Sequence, residues 1–207
     1  MKIVLFFLFS LTLWAEYPYY YSIEKLPQDI KEEMKKSGSW KKSCPVHFND
    51  LRYLTMTYFS TDEVGREGEM VVHKDVAEEV VEIFQTLYEN NFTIESMNLI
   101  DDYNASDDLS MAANNTSAFN CRNVPRTTRW SRHSYGKAID INPVWNPFID
   151  KGVVYPKEAK KYADRNLTQE GMIYKNDAIY KAFISHGWEW GGDWTRSMQD
   201  YQHFFKR

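Results

Sequence analysis

The sequence predicts an α+β fold in a single domain, a small antiparallel sheet flanked by helices. Three observations carry this. A chain of 207 residues, 43% hydrophobic and 26% charged, falls in the range of one globular domain with a buried core. Segments that alternate with period two and segments with helical spacing both occur, but not in the regular strand–helix succession of a parallel sheet. No internal repeat or low-complexity tract divides the chain. The formal net charge of -4, with no long Lys/Arg run, supplies no electrostatic footprint for nucleic acid or for an anionic membrane surface, so neither is expected as a partner.

The elements follow in order. Lys2 precedes an apolar run over 3–14 that ends in Leu13-Trp14-Ala15, which predicts a cleaved secretory signal peptide over 1–15. The run is shorter than the ~20 residues a membrane span needs, and no cysteine follows to carry a lipid, so stable insertion after cleavage is not expected. Residues 16–50 read as an N-terminal extension. Its Tyr17, Tyr19, Tyr20 and Tyr21 lead into Leu26, Ile30 and Met34 at helical spacing between Pro27 and Gly38, which predicts a short docking helix.

The main domain is assigned to 51–207. Over 51–59 the pattern alternates, with Leu54, Met56 and Tyr58 on one face and Thr55 and Thr57 on the other, as a half-buried strand requires. Gly65 and Gly68 predict a hairpin turn, and 70–72 a returning strand. A helix is predicted over 74–90, with Val76, Val80, Phe84 and Leu87 as its apolar stripe. A short strand is expected at 97–100 and a last helix over 177–185, stopped at Gly187. Between them, 101–132 is polar and irregular and too long for a mere connection, which marks it as a functional loop.

Export would place the chain beyond the inner membrane, in the periplasm, where thiols oxidise. Its two cysteines, Cys44 and Cys121, are then predicted to form a disulfide, ahead of the alternative in which Cys121 near His133 is a metal ligand. Closing so long a loop contributes about 4 kcal/mol in the chain-entropy model.

The segment Ser131-Arg132-His133-Ser134-Tyr135-Gly136-Lys137-Ala138-Ile139-Asp140-Ile141-Asn142 carries the chemistry. Ile139 and Ile141 should point into the core, so Asp140 faces the other way, and Gly136 lets the chain bring His133 back beside it. A His nitrogen and an Asp oxygen converging suit zinc. Near the C-terminus, Asp200-Tyr201-Gln202-His203 offers a third ligand in His203 and an acid three residues before it. Three protein ligands to one Zn2+ leave a position for water, and Asp200 would be the general base that takes the water's proton and passes it to the leaving amine. Two histidines and a carboxylate also suit non-haem iron, but the acid-x-x-His arrangement favours hydrolytic zinc. Arg122, delivered by the long loop, is the cation expected at the developing oxyanion. His47, His73 and His186 lack a partnered acid and are left out of the metal set.

Taken together, the two segments resemble the M15 family of zinc D,D-peptidases, which carry S-x-H-x-x-G-x-A-x-D followed by acid-x-x-H. The stretches 116–122, Asn142-Pro143 with Asn146-Pro147, and 187–194 resemble its D-alanyl-D-alanine carboxypeptidase-like branch, so that the likeness runs from about Leu51 to the C-terminus. The resemblance implies a Hedgehog/D,D-peptidase-like fold, zinc on His133, Asp140 and His203, and Asp200 as base. It implies that Ser131 binds the substrate's carboxylate or D-Ala backbone, although a hydroxyl there can also serve local backbone. Trp188, Trp190 and Trp194 are read as a substrate wall, with Trp190 the named contact and at least one of the three as core. The implied activity is hydrolysis of peptidoglycan stem peptides, most simply release of terminal D-Ala; the sequence does not fix the oligomeric state, for which a monomer is favoured. Two rivals stand beside it: L-alanyl-D-glutamate endopeptidase with the same zinc set, and a non-catalytic zinc-containing wall-binding domain, against which the retained Asp200 argues.

Overall fold

The computed structural model describes residues 18–195 and 197–207. The expected signal peptide and Tyr17 lie outside that range. The class is α+β, with the strands gathered into three small sheets.

The first sheet is built on a long hairpin, β2 (Leu51–Ser60) and β3 (Gly65–His73), in continuous antiparallel register from Leu51↔His73 to Phe59↔Gly65. β1 (Tyr21–Lys25) pairs antiparallel with β2, and the two-residue β4 (Thr93–Ile94) pairs parallel with its far end. Period two decides what each face does. Leu54, Met56, Met70 and Val72 point into the main core, where α2 (Ala77–Glu89) lays down Val80, Phe84 and Leu87. Leu51 and Val71 point the other way, into a second core completed by Leu26 and Met34 of the N-terminal extension. The docking helix α1 (Gln28–Ser37) therefore exists because this sheet has two apolar faces; Gly38 ends it in the left-handed conformation at φ 88°. The predicted bridge Cys44–Cys121 is formed and ties this extension to the long loop.

Three local expectations are corrected. The hairpin turns within 61–64; Gly65 and Gly68 are strand residues. Gly68 is there for close approach, since a Cβ would lie 2.5 Å from the Met97 side chain and 2.9 Å from its carbonyl oxygen. Residues 97–100 form no strand: Met97 lies in the main core and Leu99 in the second, so their alternation reflects two cores on either side and not a ladder. The helix expected over 74–90 begins at Ala77, although Val76 is buried as its stripe requires. The 101–132 stretch includes one short helix, α3 (Asp107–Ala112), capped by the Ser106 hydroxyl.

The other two sheets frame the site. β5 (Ala138–Asp140), β10 (His203–Phe205) and β8 (Glu189–Trp190) form one, in the order β5-β10-β8. β6 (Phe148–Asp150), β7 (Val153–Tyr155) and β9 (Met198–Asp200) form the other, in the order β7-β6-β9. Helix α4 (Ala178–Ser185) starts at the Asp177 cap, which accepts from the Tyr180 amide, and packs Phe183 on Phe204 with ring centroids 3.9 Å apart. Trp188 stands edge-on to Phe183 and is core. No helix among the described residues is long and apolar enough to cross a membrane.

Candidate active site

Strand register builds the centre. β10 runs antiparallel to β5 with His203 directly opposite Asp140, so the two side chains share a face and sit at the closest approach a ladder allows. Asp140 Oδ1 lies 2.8 Å from His203 Nδ1 and Asp140 Oδ2 lies 3.1 Å from His133 Nε2. His133 Nε2 and His203 Nδ1 are 3.3 Å apart. His133 reaches this point from a 3-10 turn, Arg132–Tyr135, that Gly136 closes at φ 65°. A Cβ on Gly136 would fall 2.6 Å from the His73 backbone nitrogen, so the turn needs glycine both for its dihedral and for its space. As expected, Ile139 and Ile141 are fully buried in the core.

The three side chains are arranged as ligands are. His133 Nδ1 donates to the Ala118 carbonyl oxygen at 2.5 Å, which leaves Nε2 as the lone-pair nitrogen facing Asp140 and His203. Ala118 is held there because Ser117 pairs with Asp140 through two backbone hydrogen bonds. Burial opposes ionisation of Asp140, but the two imidazoles outweigh it and hold the carboxyl well below the ordinary range. Candidate donor atoms from His133, Asp140 and His203 all lie within 4.8 Å of one another, and these buried or half-buried residues could hold a metal ion. His73 pairs instead with Asp75, at 3.3 Å.

Asp200 ends β9, and two turn residues separate it from His203 at the start of β10. A Cβ on Gly191 would meet the Asp200 carbonyl oxygen at 2.6 Å and its Cβ at 2.8 Å, so glycine at 191 makes room for this residue. Asp200 Oδ1 is buried and has no hydrogen-bond partner. Burial, with the Asp140 charge adding to it, pushes the Asp200 carboxyl up to about 7. An orphaned buried carboxylate oxygen beside a convergent donor set fits a bound cation and a water between them.

Arg122 is fixed to the same turn. Its amide donates to the Ser134 hydroxyl oxygen at 2.9 Å, that hydroxyl donates back to the Arg122 carbonyl at 2.7 Å, and the Ser131 amide donates to the same carbonyl at 3.0 Å. Its guanidinium pairs with Asp107, whose other oxygen accepts from the Asn120 side chain at 2.7 Å. Burial lowers the Arg122 pKa against the opposing pull of Asp140 and Asp200. Ser131 is buried, and its hydroxyl accepts from the His133 amide at 3.3 Å. Trp190 is buried, with its indole N–H donating to the Tyr201 carbonyl at 2.9 Å, whereas the Trp194 ring lies 5.8 Å from the His203 ring. Cys44 and Cys121 are bonded to each other and are not ligands.

Sequence reasoning missed the Ala118 carbonyl, which has no side-chain signal, and the Asp107–Asn120 pair behind Arg122. Asn120 lay in a stretch already singled out; Asp107 could not be paired without the fold.

A protein-family model described as D-alanyl-D-alanine carboxypeptidase, of the M15 peptidases, matches residues 125–206. No curated protein matches the chain, and no solved structure does. The matched segment includes Ser131, His133, Asp140, Asp200 and His203, while Arg122, Asp107 and both cysteines precede it. Residues 125–206, with the His133–Asp140–His203 cluster and Asp200 inside them, are thus similar to a D-alanyl-D-alanine carboxypeptidase model of the M15 peptidases.

Proposed function

We propose that the protein is a zinc-dependent peptidase that hydrolyses peptidoglycan stem peptides, acting as a D-alanyl-D-alanine carboxypeptidase. The observation that carries this reading is the buried, unpartnered Asp200 Oδ1 beside the His133–Asp140–His203 cluster. His133 Nε2, the Asp140 carboxylate and His203 Nδ1 would hold the ion. Zinc bound there would act as a Lewis acid toward the scissile carbonyl and activate a water.

The chain's own residues perform the proton transfers. Asp200 accepts a proton from the attacking water through Oδ1 and delivers it to the leaving amine, a double task that suits a carboxyl raised to about 7. Arg122, stiffened by Asp107 and Asn120, stabilises the charge that develops on the carbonyl oxygen. Ser131 orients the substrate from the end of the His133 turn, and Trp190 and Trp194 back the aromatic side of the site. The Cys44–Cys121 disulfide supports an oxidising compartment and hence export, with residues 1–15 as the signal and 51–207 as the catalytic unit behind the 16–50 extension.

The test is incubation with zinc on purified pentapeptide muropeptides, with products read by mass beside Asp200→Ala and a chelated control. Loss of one D-Ala by the wild type alone upholds the reading. Cleavage inside the stem would replace it with the endopeptidase, and metal binding without cleavage with a binding domain.

A further inference from the structure

The β7-β6-β9 sheet continues outward from Asp200. In register, Asp200 stands opposite Phe148, and Phe148 stands opposite Tyr155. Directly paired residues of antiparallel strands project to the same face, so one row runs from the carboxylate through a half-buried ring to a ring that is 41% exposed. The two rings are stacked, with centroids 5.9 Å apart and planes at 27°. The next row on that face is Met198, Asp150 and Val153, of which Met198 is 41% and Val153 52% exposed. Large apolar side chains are thus left in solvent on the face that carries the proposed base. Elsewhere among the described residues such groups stand mostly singly, which needs no explanation; here they are continuous with the site.

We infer that Phe148 and Tyr155, flanked by Met198 and Val153, form the subsite that binds the acyl side of the substrate peptide and makes the enzyme select long stem peptides over short ones. This rests on the peptidase reading given above. Two strand spacings of about 4.8 Å put Tyr155 roughly 10 Å from Asp200, the length of about three extended residues. A carboxypeptidase has a single residue on the leaving side of the bond it cuts, so whatever lies three residues away belongs to the acyl side. An acylated dipeptide ends before it reaches Tyr155; a pentapeptide does not. The occupant is peptide, whose methyl and methylene groups lie flat on an aromatic face.

The experiment compares N-acetyl-D-Ala-D-Ala with the pentapeptide on the full mature chain with zinc. Tyr155→Ala is expected to lower the ratio of kcat/KM for the pentapeptide over the short substrate about tenfold, through KM, and Tyr155→Phe to keep it. The same comparison is made by calorimetric binding of both peptides to Asp200→Asn, where Tyr155→Ala should weaken the pentapeptide alone about tenfold. An unchanged ratio and unchanged pentapeptide binding would overturn the subsite, as would equal losses on both substrates. A wild type that binds the pentapeptide through Tyr155 but releases no D-Ala would overturn the carboxypeptidase reading and leave the subsite standing.

Discussion

Asp200 is a carboxylate whose environment resists its charge, and this has opposite consequences for stability and for activity. Its folded pKa of about 7 lies above the ordinary 3.8, so as pH rises from about 4 to 7 the unfolded chain releases a proton that the folded chain retains. Stability therefore falls across that window, and the deficit is complete above about 7. In metal-free protein, Asp200→Asn should be as stable as the wild type near pH 4 and more stable by a few kcal/mol at pH 8, seen as a widening gap in Tm. The same variant should lose about a hundred- to ten-thousandfold in kcat, the range for a lost general base. In loaded enzyme a nearby cation pulls the carboxyl down, so the acidic limb of kcat/KM should fall below 7. At Arg122, replacement by Ala should lower kcat about a hundred- to a thousandfold while zinc titration is unaltered, because the guanidinium is not a ligand. A loss of zinc affinity instead would make it a structural residue.

Short elements place these groups, and two glycines set how closely the elements approach. Gly136 closes the His133 turn at positive φ against the His73 backbone, and Gly191 lies against Asp200. Gly191→Ala should displace Asp200 without touching a ligand, lowering kcat at least about tenfold while metal affinity stays within about twofold. Parallel losses of kcat and zinc affinity would mean that β9 and β10 move as one piece. The apolar periodicity of β2 and α2 was legible because both are long enough for a pattern to repeat. Of the strands of three residues or fewer around the site, the one ending at Asp140 was legible through Ile139 and Ile141 on either side of it; the others were not, since two or three residues carry no period. β1 was not predicted for another reason: as an edge strand it buries none of its residues fully, with Ser22 and Ile23 half-buried and Tyr21, Glu24 and Lys25 exposed, so no alternation shows.

At the scale of the molecule, the Cys44–Cys121 bond joins the N-terminal extension to the loop that carries Arg122, across 77 residues. Replacing both cysteines by serine should cost about 4 kcal/mol in denaturant unfolding. The neighbouring cation makes a functional cost expected as well: reduced protein should lose kcat before it loses α2 helicity, followed by circular dichroism beside turnover. Simultaneous loss of both would show that the bridge serves stability alone. The helix over 28–37, the long hairpin strand, the disulfide and the convergence of His133, Asp140 and His203 could all be read from residue order, because each depends on local spacing, on the oxidation expected of an even cysteine pair, or on two short motifs of fixed length. Folding alone settled which ring nitrogen of His133 is free, which carboxylate holds Arg122, and that Tyr155 lies in line with Asp200. Those relations join residues far apart in the chain through strand register and backbone carbonyls, and neither leaves a trace in local sequence.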